Sequence, residues 1–541
     1  MRLRQLILAL IALTGVWVAV MIQRTHDAPT ATALASRGSG SPRVTHVAGL
    51  ERPVSVVPIV RPSTRPHVSI PARAKPVPKV EPRRAPKKSA PATSRAVVVP
   101  QETRSYAETP SQPLEPLAIS DAQVVAVTSS SARITWRTNV PTQTQTAFGL
   151  DAPTIWAQPS GDSVIEHASV LGDLEFSTTY QVYLHAVDEW NRSTTTTLTL
   201  TTQPMPDQSV AHTNGDRIVV DDRPFFPTAV WAQCSDGVAG NISDGINLFM
   251  GDGCQSDLGL PARLDGRAYS IVNAENADAQ GRGVIGWYFP DEWDAFVQST
   301  VTHAQLDKSI PAPRPGRISF LTLTNHFYSR ANPLPQGKGM YPVLLSIPDV
   351  VGFDLYPLQV WCRPAFGDVF DSQRELHQVS GGKPTFQWIE VAPMEHPCKE
   401  QAALDPTAAT VRAETWLAIA GGAGAVGYFP NHWAGPIGAE IARTNHEIKA
   451  LSPALLAATA TARSDTDAVK VSARTLNGAL YVIAVNTTDT TVQAKIAVDG
   501  IAGRSLIPLG GGAAVGADDQ GFSDTFGPLA ARVYVIPPQG W

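Results

Sequence analysis

Residues 284–294 read VIGWYFPDEWD, an apolar run of strand length that ends in two adjacent acids, Asp291 and Glu292. A continuous apolar run bounded by turn residues is typical of a strand that is buried on both faces. Further segments of the same kind lie at residues 223–234, 245–253, 268–275, 317–327, 350–358, 384–393 and 424–433. Helical stretches separate most of them, for example residues 294–309, 369–381 and 405–422. This alternation predicts a (β/α)8 barrel over residues 208–460.

Acidic side chains lie at the ends of several of these strands, where barrel enzymes carry their chemistry. Asp291 and Glu292 follow the fourth strand, Asp354 lies on the sixth, and Glu390 lies on the seventh. Because strands four and seven face each other across a barrel, we expect Glu292 and Glu390 to meet over a central pocket. Cleavage of a glycosidic bond requires two such carboxyl groups: one protonates the leaving oxygen, and the other attacks the sugar or activates water.

Other interpretations of these acids stay open at this point. Asp291 could cap the helix that follows, and Glu292 could be an acid of its first turn, stabilised by the helix dipole. Glu395, a few residues beyond Glu390, is a rival for the second catalytic position.

The order of these residues resembles a clan of retaining (β/α)8 glycoside hydrolases, in which a glutamate acid/base ends strand four and a glutamate nucleophile ends strand seven. The resemblance implies that Glu292 is the acid/base and Glu390 the nucleophile. It also implies that Trp433 is a platform for a sugar ring. The sequence departs from the clan at Asp291, where an Asn usually binds a sugar hydroxyl; an Asp could accept that hydrogen bond but adds a negative charge.

Further substrate contacts are expected from polar and aromatic residues on or just after barrel strands. In addition to Asp291, the candidates are Trp231, Asn325, His326, Tyr356, Tyr428 and Trp433. The alternative for each aromatic residue is a place in the barrel core. The histidines lack the close spacing of metal ligands, so we expect no metal, and no motif predicts a cofactor.

Four cysteines, an even number, lie within the predicted barrel, and such a count in an exported chain favours disulfides. Cys234 and Cys254 follow the neighbouring strands one and two, and Cys362 and Cys398 follow the neighbouring strands six and seven. We therefore expect these two pairs, with free buried thiols as the alternative.

Segments with alternating apolar residues flank the barrel on both sides. Residues 118–203 contain short β-branched runs, with Trp136 on the run ARITWRT and Tyr180 before the run QVYLHAVD. These residues resemble the fibronectin type III family, which implies a β-sandwich with Trp136 and Tyr180 in its core. Residues 461–541, with Asn477-Gly478 as a hairpin turn, predict a second small β-sandwich.

The N-terminal part of the chain indicates export. Residues 6–22 form an apolar run after Arg2 and Arg4, so residues 1–26 are predicted to be a signal peptide or a membrane anchor. Residues 27–117 contain 14 Lys/Arg against 6 Asp/Glu and many prolines, which predicts a disordered, basic tether. Such a tether could contact an anionic envelope polymer, or it could be only a spacer.

Together these patterns predict a multidomain, exported glycoside hydrolase at the cell envelope or secreted from the cell, acting on a poly- or oligosaccharide. The alternative is a barrel that binds glycans without cleaving them, or an envelope scaffold. No basic nucleic-acid face and no Ser-His-Asp elbow are present, so nucleic-acid partners and serine hydrolase chemistry are not expected.

Overall fold

The structure is a computed structural model that describes residues 115–394 and 404–541. The predicted signal or anchor, almost all of the predicted tether, Glu395, His396 and Cys398 therefore lie outside the described residues. Within those two ranges no helix is both long enough and apolar enough to cross a membrane.

The first folded region is a six-stranded antiparallel arrangement in which one long strand belongs to two sheets. The strands of this region are β1 Ile119–Val127, β2 Ala132–Gly149, β3 Ile155–Trp156, β4 Val164–Leu171, β5 Thr179–Val187 and β6 Ser193–Thr201. The long strand β2 pairs with β1 and β4 through its first half and with β3 and β5 through its second half.

The core of this region contains both aromatic residues that the sequence places inside it. Trp136 is 3% exposed and stacks on His167, and Tyr180 is 5% exposed. The Tyr180 hydroxyl accepts a hydrogen bond from the backbone N–H of Glu175 at 2.8 Å. This bond ties the strand β5 to the turn before it, as the tyrosine corner of immunoglobulin-like sandwiches does.

A three-stranded meander that the sequence did not predict precedes the barrel. It consists of β7 Ala211–Asn214, β8 Arg217–Val220 and β9 Arg223–Phe225. Ala211, Ile218 and Phe225 belong to the same apolar cluster as the side chains inside the barrel. The backbone of Ala211 donates to the carbonyl of Gly316, just before a barrel strand, so the meander closes the N-terminal end of the barrel.

The predicted barrel is confirmed: eight parallel strands form a closed ring in chain order, and the last pairs with the first. The strand predicted over residues 223–234 is split into β9 and β10, because Pro227 cannot donate to a ladder between them. The barrel strands are β10 Thr228–Trp231, β11 Leu248–Met250, β12 Tyr269–Asn273, β13 Val284–Tyr288, β14 Ile318–Thr324, β15 Val350–Asp354, β16 Thr385–Glu390 and β17 Ala425–Phe429.

The helices around the barrel agree with the sequence in part. Two predicted helices correspond to Phe366–Val379 and Ala408–Gly421. The helix predicted over residues 294–309 is wrong: it is broken into short turns, because β-branched residues interrupt it and Thr302 caps a new turn. The remaining helices are Ser235–Ser243, Leu260–Leu264, Trp293–Phe296, His303–Leu306, Tyr341–Leu344 and Gly435–Leu455, with 3-10 turns at Asp257–Gly259, Ala274–Asn276, Asp307–Ser309 and Asn325–Phe327.

After the barrel, a six-stranded and a three-stranded antiparallel sheet share an apolar core that includes Val482, Ile496 and Phe522. Asn477 and Gly478 make the predicted hairpin turn, both with positive φ, between β20 and β21. The strands are β18 Ala458–Ala460, β19 Ala462–Ser464, β20 Val469–Leu476, β21 Ala479–Asn486, β22 Val492–Val498, β23 Ser505–Pro508, β24 Val515–Gly516, β25 Phe522–Phe526 and β26 Ala531–Ile536.

A buried ion pair joins the first folded region, β1 to β6, to the meander. Both guanidinium NH groups of Arg223 donate to the Glu175 carboxylate, at 2.8 and 2.9 Å, and the side chains are only 3% and 10% exposed. A bidentate pair of this kind fixes geometry as well as charge. The backbone N–H of Glu175 also donates to Tyr180, so the Tyr180 hydrogen bond and the contact with the meander share one turn.

We expect Glu175→Gln to lower the free energy of unfolding by about 3–5 kcal/mol, because it leaves a buried guanidinium without its counter-charge. The exposed pair Arg137–Glu166, with side chains 51% and 76% accessible, provides a matched control. Glu166→Gln is expected to change stability by less than about 1 kcal/mol. Urea unfolding of both variants checks this, and equal effects would contradict the role of the buried pair.

Candidate active site

A cavity of about 270 Å³ opens at the C-terminal end of the barrel strands. Asp291 and Glu292 reach it from the segment after β13, and Asp354 reaches it from the last position of β15. The rest of the wall is mostly aromatic, with one amide and two apolar side chains, and consists of Trp231, Asn325, Tyr356, Val360, Trp388, Met394 and Phe429. Carboxyl groups from two different strands therefore meet in one partly enclosed space.

The backbone at the two adjacent acids is not that of an ordinary helix start. Glu292 occupies the N-cap position of the helix Trp293–Phe296 with φ 48° and ψ 42°, in the left-handed region, and its side chain makes no capping hydrogen bond. The alternative in which Asp291 caps this helix is thus wrong. A glutamate with positive φ is uncommon, and such strain is typical of residues held for function.

Burial dominates the electrostatics of the three carboxyl groups. Desolvation, together with the nearby charge of Glu292, raises the pKa of Asp291 to about 7. Desolvation and Asp294 raise the pKa of Glu292, which His326 partly offsets. The pKa of Asp354 is raised well above its ordinary value by burial and then by the charges of Asp291 and Glu292. At neutral pH this cluster therefore retains at least one proton.

Two buried side chains hold the acids in place: Asp294, which does not line the cavity, and Tyr356, which does. The Asp294 carboxylate accepts the backbone N–H of Thr324 at 2.9 Å and the Tyr341 hydroxyl at 2.8 Å, so it ties the segment after β13 to the end of β14. The Tyr356 hydroxyl donates to Oδ1 of Asp354 at 3.0 Å. These bonds restrict the rotamers of the cavity wall, as a preorganised site requires.

Aromatic rings form the apolar part of the wall. Trp388 packs edge-on against Trp231, with ring centroids 6.1 Å apart, and Tyr356 stacks on Phe429 at 6.0 Å. The indole N–H of Trp388 donates to the Thr322 hydroxyl at 3.2 Å, which fixes the ring in the barrel. A side chain at Gly427 would collide with the Trp388 ring, so the glycine on the neighbouring strand makes room for it.

The structure places Glu390 differently from the sequence prediction. Its side chain is fully buried, and its two oxygens accept the backbone N–H groups of Leu358 and Gln359, at 2.7 and 2.8 Å. It does not line the cavity. Because both oxygens are engaged and neither is accessible, this placement argues against Glu390 as the nucleophile.

Two of the predicted substrate contacts also lie elsewhere. Tyr428 is fully buried and faces outward from β17, where its hydroxyl donates to Asn445 at 2.7 Å. Trp433 packs on Tyr428 and donates its indole N–H to Asp244 at 2.8 Å. Neither lines the cavity, because Gly427 and Phe429 occupy the inward positions of that strand. Trp433 lies beyond the strand, and its loop carries it toward the outer layer.

The other predicted contacts are mostly near the cavity. Trp231, Asn325 and Tyr356 line it as predicted. His326 lies beside Glu292 but does not line the cavity, and its ring contacts the carbonyl of Asn332. Within the described ranges, no cluster of three or more potential metal ligands is found.

Asp354 was named among the acids at strand ends but was assigned no role, and Trp388 and Phe429 were not predicted from the sequence. All three occupy alternate, inward positions of their strands. Asp354 carried a usable signal, since an acid that ends the apolar run VVGF parallels the acids after β13. Trp388 and Phe429 carried none, because aromatic residues fill barrel cores equally well.

Cys234 and Cys254 lie in the segments that follow β10 and β11. The sulfur atoms of Cys234 and Cys254 lie within bonding distance and their Cα atoms are 5.3 Å apart, which fits the first predicted disulfide. The second predicted pair involves Cys398, which lies outside the described residues.

Comparisons with known proteins do not identify a family. No protein-family description and no curated protein matches the sequence. Among solved structures, a putative alpha-galactosidase/melibiase from Bacteroides fragilis is 11% identical with a TM-score of 0.42, over 78% of this chain and 98% of that one. A beta-glucuronidase from Ruminococcus gnavus is 9% identical with a TM-score of 0.29, over 58% of this chain and 60% of that one. Similarity at this level says nothing about activity.

The raised pKa values give a testable dependence of stability on pH. Burial raises the pKa of Glu390 to about 7, and it raises the pKa of Glu414, on the helix Ala408–Gly421, well above its ordinary value. In the unfolded chain these groups titrate near about pH 4. The folded protein thus binds more protons between about pH 4 and 7, so stability is highest at the acidic side and falls as pH rises through the folded pKa values.

We expect the midpoint of thermal unfolding to fall between pH 5 and pH 8, and Glu414→Gln to reduce that fall. Glu414 is fully buried, and the backbone N–H of Glu390 offsets only part of the cost of burying its charge. Ionisation of Glu414 therefore lowers the stability of the folded protein, and a glutamine, which does not ionise, avoids this loss. Glu166→Gln, at an exposed position, is the control and should leave the pH dependence unchanged. Calorimetry at the two pH values measures this, and a fall of undiminished size in Glu414→Gln would contradict it.

Proposed function

We propose that this protein is a glycoside hydrolase that acts through carboxyl groups at the ends of β13 and β15. The observation that supports this most strongly is the meeting of Asp291, Glu292 and Asp354 in one aromatic-lined cavity at the C-terminal face of the barrel. Carboxyl groups flanking the scissile bond are the requirement for this chemistry. The C-terminal face is where barrel enzymes carry out theirs.

The electrostatics support a division of roles among the three acids. Burial and the charges of Asp291 and Glu292 raise the pKa of Asp354 more than the hydrogen bond from Tyr356 lowers it, so Asp354 retains its proton near neutral pH and is suited to protonate the leaving oxygen. Asp291 or Glu292, on the neighbouring loop, then acts as the ionised partner. This partner attacks the anomeric carbon or activates a water, depending on the separation of the two carboxyl groups.

The cavity wall supports a carbohydrate as the substrate. Sugar rings present apolar C–H faces, and Trp388, Trp231 and Phe429 provide aromatic surface beside the acids. Asn325 adds an amide that can donate hydrogen bonds to sugar hydroxyl groups and accept hydrogen bonds from them. The retaining outcome that the sequence resemblance implies remains part of the proposal and follows if the partner acid is a nucleophile.

The location and the flanking regions complete the proposal. An export signal or anchor in residues 1–26 and a basic tether in residues 27–117 would present the barrel outside the cytoplasm. The pairing of β2 with two sheets and the Tyr180 corner support a sandwich related to fibronectin type III. Its role in this proposal is that of a rigid spacer.

The test is hydrolysis of a panel of 4-nitrophenyl glycosides and plant or bacterial polysaccharides by the full chain. On the best substrate, we expect Asp354→Asn to lower kcat/KM by about 10²–10⁴-fold, the usual contribution of a general acid. Asp291→Asn and Glu292→Gln identify the partner, because the variant with the larger loss has lost the ionised acid. Asp489→Asn, at an exposed position of a turn in the last domain, should retain full activity.

Two results would count against this proposal. Turnover by Asp354→Asn within about threefold of the unmodified protein would exclude Asp354 as the proton donor. Binding of a glycan without turnover, measured by calorimetry on the same panel, would favour the alternative of a non-catalytic glycan-binding protein.

A further inference from the structure

Glu390 makes contacts that its position at the end of β16 alone does not require. Its carboxylate oxygens lie 2.7 Å from the amide nitrogen of Leu358 and 2.8 Å from that of Gln359. Both amides belong to the segment after β15, so the side chain of one strand holds the loop of its neighbour. Two N–H groups pointing at one buried carboxylate form charge-assisted bonds, which are the stronger kind.

The side chain of Gln359 extends this connection to a second loop. Its Nε2 donates to the carbonyl of Leu404 at 2.8 Å, and its Oε1 accepts the backbone N–H of Met394 at 2.7 Å. Gln359 is only 1% exposed. Glu390 and Gln359 together therefore join the segment after β15 to both sides of the segment after β16.

The residues on either side of these contacts form a wall of the cavity. Tyr356 and Val360 flank the two held amides, and Met394 is the residue whose amide Gln359 binds. Tyr356 in turn donates to Asp354. A displacement of the held segment would move this wall and the hydroxyl that orients the proposed proton donor.

We propose that Glu390 is a positioning residue, whose carboxylate fixes the Tyr356–Val360 wall of the cavity by binding the Leu358 and Gln359 amides. This inference rests on the proposed function for its meaning in catalysis, but the contacts it describes are testable without any substrate. It replaces the nucleophilic role that the sequence predicted for the same residue.

An isosteric substitution isolates the contact. Glutamine at position 390 keeps the volume of the side chain but provides one oxygen acceptor and one NH2 donor, so one of the two amides would face another donor. Glu414, on the helix Ala408–Gly421, is a titratable neighbour of Glu390. Glu414→Gln alters the same buried region without touching either amide, which makes it the matched control.

The first measurement is hydrogen exchange by mass spectrometry on the full-length protein at pH 8. We expect Glu390→Gln to speed exchange in the peptide covering residues 356–361 by about tenfold or more, since a buried charged hydrogen bond is lost. Exchange in β14 should be unchanged, as should exchange at 356–361 in Glu414→Gln. Unchanged exchange at 356–361 in Glu390→Gln, or an equal rise in β14, would overturn the inference.

If Glu390→Gln does not fold, Gln359→Met provides the second variant. Methionine has a similar volume but cannot bind the Met394 amide or the Leu404 carbonyl. We expect it to speed exchange at residues 391–394 and leave β14 unchanged. Unchanged exchange at residues 391–394 would contradict the inferred connection between the segments after β15 and β16.

The activity readout separates this inference from the proposed function. On a 4-nitrophenyl glycoside that the unmodified protein hydrolyses, Glu390→Gln should raise KM by about tenfold and lower kcat by about tenfold or less, because the displaced wall carries both cavity-lining side chains and the Tyr356 hydroxyl that orients Asp354. A loss of kcat above about 10³-fold with unchanged KM would restore Glu390 as a catalytic residue. If no glycoside is hydrolysed, the proposed function fails while the exchange experiment still decides the positioning role.

Discussion

The desolvation of acids at the mouth of the barrel is the constraint on which the rest of the site depends. Asp291 and Glu292 lie close enough to Asp354 to raise its pKa, and Glu292 also raises the pKa of Asp291. Hydrogen-bond donors keep these acids in place: Thr324 and Tyr341 donate to Asp294 in the segment after β13, and Tyr356 donates to Asp354. Without these donors, mutual repulsion would favour solvated rotamers. The left-handed backbone at Glu292 is a further energetic cost of this arrangement, because the loop adopts an uncommon conformation in which both acids reach the cavity.

The barrel could be predicted from the sequence because its signal is local. Each buried strand is an apolar run with turn residues at its ends, and the eight runs appear in the order in which the strands pair. The meander β7–β9 was missed because its strands are only three or four residues long. The failed helix after β13 shows the limit of composition, since its capping residue lies in the middle of the predicted span.

The site was predicted only in part, for a different physical reason. Alternation places Phe386, Trp388 and Glu390 on one face of β16, but it does not say which loop will fold over the end of the strand. The segment after β15 does so and takes up both carboxylate oxygens of Glu390, an outcome that depends on contacts between residues about thirty positions apart. In the same way, the position of Trp433 is fixed by a hydrogen bond to Asp244, which is distant in the sequence. Local patterns show where acids emerge, whereas tertiary hydrogen bonds decide which of them remain accessible.

The meander limits the routes by which a ligand can reach the interior of the barrel. Its apolar residues fill the N-terminal end of the barrel and continue into the same cluster as Phe320 and Phe386. In the described part of the chain the barrel is therefore closed at its N-terminal end, and a polymer cannot pass through it from one end to the other. A ligand of the cavity therefore enters and leaves at the C-terminal face, among the segments that carry Asp291, Asp354 and Met394.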